Sequence, residues 1–330
     1  MPDGPVRPVA VDAMGGDHAP SAVVTGARDA VDQLGIPVVL VGPPDLVGDT
    51  MGLELVACTE VITMDDDPGQ AVRRKKDSSL VRAAELVRDG LASATVSAGN
   101  TGAAMAAALL RMGRLKGVSR PCIATPLPRP GTTPTLLCDA GANAECTPEM
   151  LVQFAQMAAA HARTRFGVAS PTVGLLSIGE EKSKGTPLVK ETHQRLADPA
   201  AGVNFFGNVE GRDLIGAPVD VVVTDGFTGN VALKTLEGAL RFMSLTIAGV
   251  IGIDERTRAA GDVLLEHLAP IAGELDPEAH GGAILLGVDG VAIISHGSSS
   301  ARAITNAVRV AHELATQGTV EALRAAIGGQ

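Results

Sequence analysis

The sequence predicts an α/β fold, a mostly parallel sheet with helices on both faces, and three observations carry that prediction. The chain opens strand–helix–strand: Val9–Val11, a helical run over Ser21–Leu34, then Pro37–Val41. That is the pattern of parallel strands joined by a crossover helix. A second device then recurs along the chain: a short apolar run, a break of glycine and small polar residues, and a helical pattern. Finally, 330 residues with 45% hydrophobic content and a mean hydropathy of +0.23 suffice to bury a large core, despite 39 glycines.

Val9–Pro20 organises the rest. Asp12 ends the apolar run, Gly15 and Gly16 allow a tight turn and close backbone approach, Asp17 and His18 follow, and Pro20 suits a first helical turn. Val24, Ala27, Val31 and Leu34 share one face of the helix that Gly35 ends. Val56–Met64 holds a short strand, and Asp65–Gly69 is a solvated acidic turn. The basic run Arg73, Arg74, Lys75 and Lys76 leads into Ser78 and Ser79, either of which suits the cap of a helix over Leu80–Arg88. Ala94–Ser97 runs into Ala98–Gly102, with Asn100 and Thr101 at the break. Pro126–Gly131 is a rigid turn before Thr135–Cys138, which runs into Asp139–Asn143. Helices follow over Pro148–Phe166 and Leu188–Leu196, the second after the strand Val173–Ile178 and the loop Gly179–Gly185. Phe205–Gly211 is a strand and turn, Val219–Thr224 runs into Asp225–Asn230, and Val291–Ser295 into His296–Ser300. Repetition of one device points to a single composite site at one sheet edge, where ligands of open α/β sheets bind. Residues 1–8 read as a flexible leader. Residues 9–330 read as one catalytic α/β domain, or two lobes, with a protruding helical segment near 237–270.

Composition narrows the function. A formal net charge of −10 and 2% aromatics, without Trp or Tyr, argue against nucleic acid. Cys58, Cys122, Cys138 and Cys146 form no C-x-x-C pair and no zinc spacing, so they read as free thiols of a reducing cytoplasm. The chain opens without a secretory signal pattern. Leu91–Leu110 is uncharged, but its Ser, Thr and Asn residues fit strand–loop–helix better than a membrane span. Phe242–Ile253 is also uncharged and too short to span. Packing on the core or a second subunit is its ordinary reading, and an interfacial membrane contact the other. The basic run at Arg73–Lys76 and a second at Arg111, Arg114, Lys116 and Arg120 stand out in an acidic chain and suit an anionic partner, although solvated faces are the usual role of such runs.

No two glycines are separated by a single residue, which rules out a G-x-G-x-x-G dinucleotide fingerprint. The P-loop and G-x-S-x-G patterns are absent too. What remains at the strand ends is Gly, Ser, Thr and Asn with Lys182, Lys184, His18 and His296, a set that suits a small oxyanion such as phosphate.

Val9–Pro20 resembles the opening motif of PlsX-type phosphate acyltransferases of bacterial phospholipid synthesis. The resemblance continues through Arg74–Ser79, Ser97–Gly102, Leu175–Gly185, Gly207–Gly211, Asp225–Lys234, Gly281–Gly290 and His296–Ser299, in order over nearly the whole chain. It implies a Rossmann-like fold similar to phosphotransacetylase and the isocitrate/isopropylmalate dehydrogenase group. It also implies transfer of a long-chain acyl group from acyl-acyl-carrier protein to inorganic phosphate, with no cofactor. The acyl phosphate product would pass to a membrane glycerol-3-phosphate acyltransferase. A homodimer peripherally associated with the membrane is implied as well. Two departures stand out: the first seven residues extend beyond the family's usual start, and His280 precedes Gly281-Gly282 where an aromatic residue, often Tyr, is expected.

The expected chemistry needs no covalent nucleophile, because phosphate attacks a thioester directly once it is oriented and the oxyanion is stabilised. Lys184, Thr228, Asn230, Gly15, Gly16 and the Gly297–Ser298 backbone are expected to hold phosphate or oxyanion, with Asn100 and Thr101 completing the rim. His18 or His296 is expected to handle the proton. Asp12, Asp17 and Asp225 are expected to orient these groups, without metal. Arg73, Arg74, Lys75, Lys76, Arg111 and Arg114 are the expected carrier-protein surface, and Phe242, Leu245, Ile247, Val250 and Ile251 the expected membrane contact. Two other readings stay open: a metal- and NAD(P)-dependent hydroxyacid dehydrogenase binding Mg²⁺ at Asp12, Asp17 and Asp225, and a non-catalytic membrane scaffold for lipid enzymes.

Overall fold

A computed structural model describes residues 7–216 and 218–328; most of the expected leader, residues 1–6, lies outside that range. In chain order the first half comprises β1 (Val9–Asp12), α1 (Ser21–Leu34), β2 (Val38–Gly42), α2 (Pro44–Val47), β3 (Glu54–Ala57), α3 (Pro68–Arg74), α4 (Ser79–Arg88), β4 (Ala94–Ser97) and α5 (Thr101–Ala107), which runs on as a wider turn through Met112. Then come β5 (Cys122–Leu127), β6 (Thr135–Cys138), α6 (Pro148–Phe166), β7 (Thr172–Leu176), α7 (Pro187–Leu196), β8 (Asn204–Val209), α8 (Asp213–Gly216) and β9 (Val221–Val223). The chain closes with α9 (Gly226–Ile251), α10 (Glu255–Leu275), β10 (Ala283–Leu286), β11 (Val291–Ile294), α11 (Ala301–Thr316) and α12 (Thr319–Gly328). Leu91–Leu110 is β4, a loop and α5, as the polar interruptions require, and no described helix is long and apolar enough to cross a membrane.

All strands join one sheet in the order β3-β2-β1-β4-β11-β10-β5-β6-β9-β7-β8. Strands β3 to β11 in that order run parallel, and β6, β9, β7 and β8 are parallel to one another. Between the two groups lie three antiparallel pairings, β11–β10, β10–β5 and β5–β6. An odd number of reversals makes the groups antiparallel to each other. The carboxyl ends of β1, β4 and β11 therefore lie on one edge, and those of β6, β9 and β7 on the opposite edge. A single composite edge, as expected from the repeated device, is thus corrected: even a four-residue strand separates the edges by roughly 13 Å.

Helices cover both faces. Val23, Ala27, Leu151, Phe154, Ile304, Val308 and Leu323, from α1, α6, α11 and α12, form one apolar layer. Val72, Leu80, Val81, Ala103 and Ala107, from α3, α4 and α5, form the other, and Ala232, Leu233 and Leu236 of α9 lean on it. Burying such faces is the main stabilising term of the fold.

One polar side chain in the first layer gives a testable pH dependence. His161 of α6 is 4% exposed, packs edge-on against Phe166, and its Nδ1 has no hydrogen-bond partner. Burial, helped by the Arg165 charge, pushes its pKa down to about 3. The unfolded chain therefore takes up a proton below about pH 6.5 that the folded chain refuses. Stability is full above that pH and falls as pH drops toward 3, by up to about 1.4 kcal/mol per unit. Urea unfolding midpoints of wild type and His161→Leu should diverge in pH slope below 6.5, the variant being flatter. Parallel slopes would exclude His161 as the source.

Candidate functional site

The first edge is closely knit. Asp12 is buried and accepts the Ser97 hydroxyl at 2.7 Å and the Met14 N–H at 3.1 Å. Burial raises its pKa and those hydrogen bonds oppose the rise. Asp12 thus orients Ser97 and the glycine turn; its bonds go to these groups and not to His18. A Cβ at Gly15 would lie 2.7 Å from the Gly99 nitrogen and 2.8 Å from Asp12 Oδ2, so this glycine serves loop-to-loop contact. Gly16, at φ +109°, sits against the Gly297 carbonyl, which accepts the Asp17 N–H at 2.7 Å. Asn100 is spent as well: its Oδ1 accepts the Ala103 N–H, capping α5, while Nδ2 faces the carbonyls of Thr63, Met64 and Asp66. Gly15 and Asn100 are therefore pins rather than an open rim. Asp17, His18, Thr101, His296 and Ser298 remain exposed on this edge. His296 Nδ1 faces the Ser298 N–H at 3.3 Å and lies 2.8 Å from the Ser298 hydroxyl. His280 lies on this edge too, its Nε2 2.8 Å from the Glu274 carbonyl, beside a cavity of about 340 Å³ lined by Arg129, Thr132 and Glu274.

The opposite edge gathers the loops after β6, β9 and β7, which are sheet neighbours. Asp225 caps α9, accepting the Thr228 N–H at 2.9 Å and its hydroxyl at 2.8 Å, so the pair is first a helix cap. Asn230 is exposed one turn on, beside Gly141. The Gly179–Gly185 loop is fixed from β8 and α7: Asn208 Nδ2 donates to the Glu181 carbonyl at 2.9 Å, and His193 Nδ1 meets Asn208 Oδ1 at 2.9 Å. Lys184 is exposed and forms no ion pair among the described residues. Its stem crosses Gly179, where a Cβ would stand 2.9 Å from Lys184 Cγ. Asp139 had no role in the sequence pattern beyond ending a strand, yet it is the most heavily bonded side chain here, with five N–H donors around it.

The basic residues divide between the edges. Lys75 is bound to Asp66 at 2.6 Å and to the Val61 carbonyl, on the first edge, while Arg73, Arg74 and Lys76 are exposed. On the opposite edge Arg111 lies near Glu85 at 3.7 Å and Arg114 closes on the Ser119 carbonyl, leaving Lys116 and Arg120 exposed, Arg120 directly before Pro121. Asn143 Nδ2 donates to the Pro121 carbonyl at 2.8 Å. Lys75 and Arg111 are thus engaged internally. In α9, Phe242, Leu245, Ile247 and Val250 are exposed, whereas Ile251 packs into Gly261 of α10, where a Cβ would lie 2.4 Å from it. Ile251 therefore closes the hairpin.

A family model described as fatty acid synthesis protein matches residues 7–322. Phosphate acyltransferase of Elusimicrobium minutum (strain Pei191) is 48% identical over 325 residues, covering 96% of this chain and 94% of that protein. The chain belongs to the phosphate acyltransferase family. A second phosphate acyltransferase, of Desulfitobacterium hafniense (strain Y51), is 46% identical over 324 residues, covering 96% of each. The fold is that of a phosphotransacetylase from Streptococcus pyogenes, with a TM-score of 0.63 at 19% identity over 94% of both chains.

For a phosphate acyltransferase the separation of the edges has consequences. Asp12 and Asp17 stand on one edge and Asp225 on the other, so within one chain they do not converge on a metal ion. The described carboxylates that do converge, Glu180, Glu210 and Asp213, carry Arg212 in their midst, bonded to Glu180 and Glu210. His18, His296, Gly297 and Ser298 are likewise separated from Lys184, Thr228 and Asn230 within one chain.

Proposed function

We propose that this phosphate acyltransferase moves a long-chain acyl group from an acyl-carrier-protein thioester to inorganic phosphate, at the edge bearing Lys184, Thr228 and Asn230. One observation carries the choice of edge: Lys184 is an exposed ammonium, unpaired among the described residues, beside loops rich in hydroxyl, carboxamide and N–H donors. At its strand ends the first edge offers Asp17, His18 and His296 instead; its exposed cations Arg73, Arg74 and Lys76 lie on α3 and the turn after it. Phosphate oxygen attacks the thioester carbonyl, the C–S bond breaks, the acyl C–O bond forms, and the carrier thiol leaves with the proton. Lys184 and Asn230 orient phosphate and steady the charge that develops on the carbonyl oxygen.

Residues 9–330 work as one catalytic unit in this reading. Its setting is the cytoplasm and the membrane surface, as a homodimer joined through the α9–α10 hairpin. A membrane glycerol-3-phosphate acyltransferase consumes the product. The acidic carrier docks on the edge of the site, where Arg114, Lys116 and Arg120 lie, rather than on Arg73 and Arg74.

Purified full-length protein with acyl-carrier protein and inorganic phosphate tests the reading, hydroxylamine trapping any acyl phosphate as hydroxamate. Phosphate-dependent hydroxamate, indifferent to chelator and nicotinamide, is expected. Nicotinamide reduction or an inert protein would favour the dehydrogenase or scaffold instead. In the same assay, reversing Arg114, Lys116 and Arg120 to Glu should raise KM for the carrier about tenfold at low salt and flatten its salt dependence. An unchanged KM there, with a raised one for Arg73→Glu/Arg74→Glu, moves docking to the first edge.

A further inference from the structure

We propose that Asp139 is a positioning residue for acyl transfer, holding Asn230 in place through the Gly141–Asn143 loop; this rests on the assignment of the site to the edge of Lys184 and Asn230. Asp139 is 0% exposed. Its Oδ1 accepts N–H groups of Ile123 at 3.0 Å, Gly141 at 3.2 Å and Ala142 at 2.9 Å; its Oδ2 accepts the N–H and Nδ2 of Asn143 at 2.8 and 2.9 Å. A carboxylate has about four lone-pair directions, so this one is saturated and has nothing left for substrate. Its influence must pass through what it holds.

What it holds is the first turn of α9. The Gly226 N–H donates to the Asn143 carbonyl at 2.8 Å. A Cβ at Gly226 would lie 2.6 Å from that carbonyl and 2.9 Å from Asp139 Oδ2, and one at Gly229 only 1.9 Å from the Asp139 carbonyl. Both glycines thus let α9 seat directly on Asp139 and its loop. The backbones of β6 and β9 are clamped at the same point, Asp139 N–H to the Thr224 carbonyl at 3.0 Å and Thr224 N–H to the Cys138 carbonyl at 2.8 Å. A Cβ at Gly141, whose φ is +137°, would stand 3.5 Å from Asn230 Cβ and Oδ1, so the loop borders the Asn230 carboxamide at about van der Waals distance. The line from Asp139 to Asn230 is therefore one loop long.

Asp139→Asn keeps the shape but sets an NH₂ against N–H donors. The loop must shift, and misplacement near 1 Å costs on the order of 100-fold in turnover. Loss of stability alone would also lower activity, so the decisive readout is a double-mutant cycle on kcat with folding checked by circular dichroism. In folded protein Asp139→Asn should lower kcat about 30-fold, and in an Asn230→Ala background less than about threefold further. Wild-type turnover in Asp139→Asn, or an undiminished loss in the Asn230→Ala background, overturns the positioning role while leaving the site assignment intact. Full turnover in Asn230→Ala itself sinks the site assignment and the role with it. Should Asp139→Asn not fold, Asn143→Ala removes one donor of the five and enters the same cycle: a coupled loss supports the role, an independent or absent loss overturns it.

Discussion

Replacing Lys184 with Ala should lower kcat/KM for phosphate about 10²- to 10³-fold, the range of losing a charged donor to a developing oxyanion. The side chain is exposed, so its removal should change stability by no more than about 0.5 kcal/mol. That separates chemistry from folding. Its loop is independently anchored by Asn208 and by the Lys184 N–H bond to the Glu181 carbonyl at 2.9 Å, so the backbone should survive the change. Both parameters should move. KM rises because an ammonium no longer attracts the anion, and kcat falls because the same charge steadies the transition state. Lys184→Arg should recover part of KM but little kcat, since a planar fork does not replace a point charge at one oxygen. A folded Lys184→Ala enzyme within threefold of wild type in phosphate kinetics would remove the lysine from the site and reopen the first edge, with His18 and His296, as the place of reaction.

The division into edges was hidden in the sequence for a physical reason. A strand, a glycine-bearing break and a helix look alike whichever way the strand runs in the sheet. Val9–Val11 and Val219–Thr224 both announce a strand and a loop. Their opposite directions follow from the antiparallel β10, β5 and β6 between them, and those short strands carry no mark of polarity. Helix identity was legible because caps and periodicity are local: α1 and α6 begin and end where Pro20, Gly35, Pro148 and Phe166 suggest. Roles were less legible, because capping and ligand binding use the same residue types. Asn100 and Asp225 each accept an N–H of the helix they begin, and Lys75 closes an acidic turn. Asp139 offered one faint signal, a carboxylate directly after a buried strand and before Gly-Ala-Asn, the composition of a loop that wraps an acceptor. Only the folded loop shows that all its lone pairs are taken.

Glutamates at Leu245, Val250 and Ile253 should abolish the proposed liposome binding while leaving the proposed dimer and turnover on soluble substrates intact. These side chains are 54–69% exposed at the far end of a hairpin whose first helix fully buries only Gly226 and Gly229 among its described residues. The turn itself is built to last. Asp254 and Thr257 form a reciprocal capping box, and Ile251 seats on Gly261, which is why Ile251 is left unchanged. Exposed apolar surface on this scale marks a contact, and two surfaces compete for it. Leu264, Leu268 and Ile271 share one face of α10 at helical spacing, nearer the body of the protein, and suit a second copy. The tip carries Arg241, Arg256 and Arg258 against Asp254 and Glu255, so its net charge is small and apolar insertion outweighs lipid charge. Each inserted side chain contributes about 1–2 kcal/mol, so losing three weakens partitioning about 100-fold or more. Sedimentation with neutral and anionic vesicles, mass by light scattering, and turnover on the soluble carrier give separate answers. Dimeric, active protein that no longer sediments supports a membrane-facing tip. Monomeric or unfolded protein makes the tip part of the subunit interface. Undiminished sedimentation leaves the bilayer contact to be sought elsewhere on the chain.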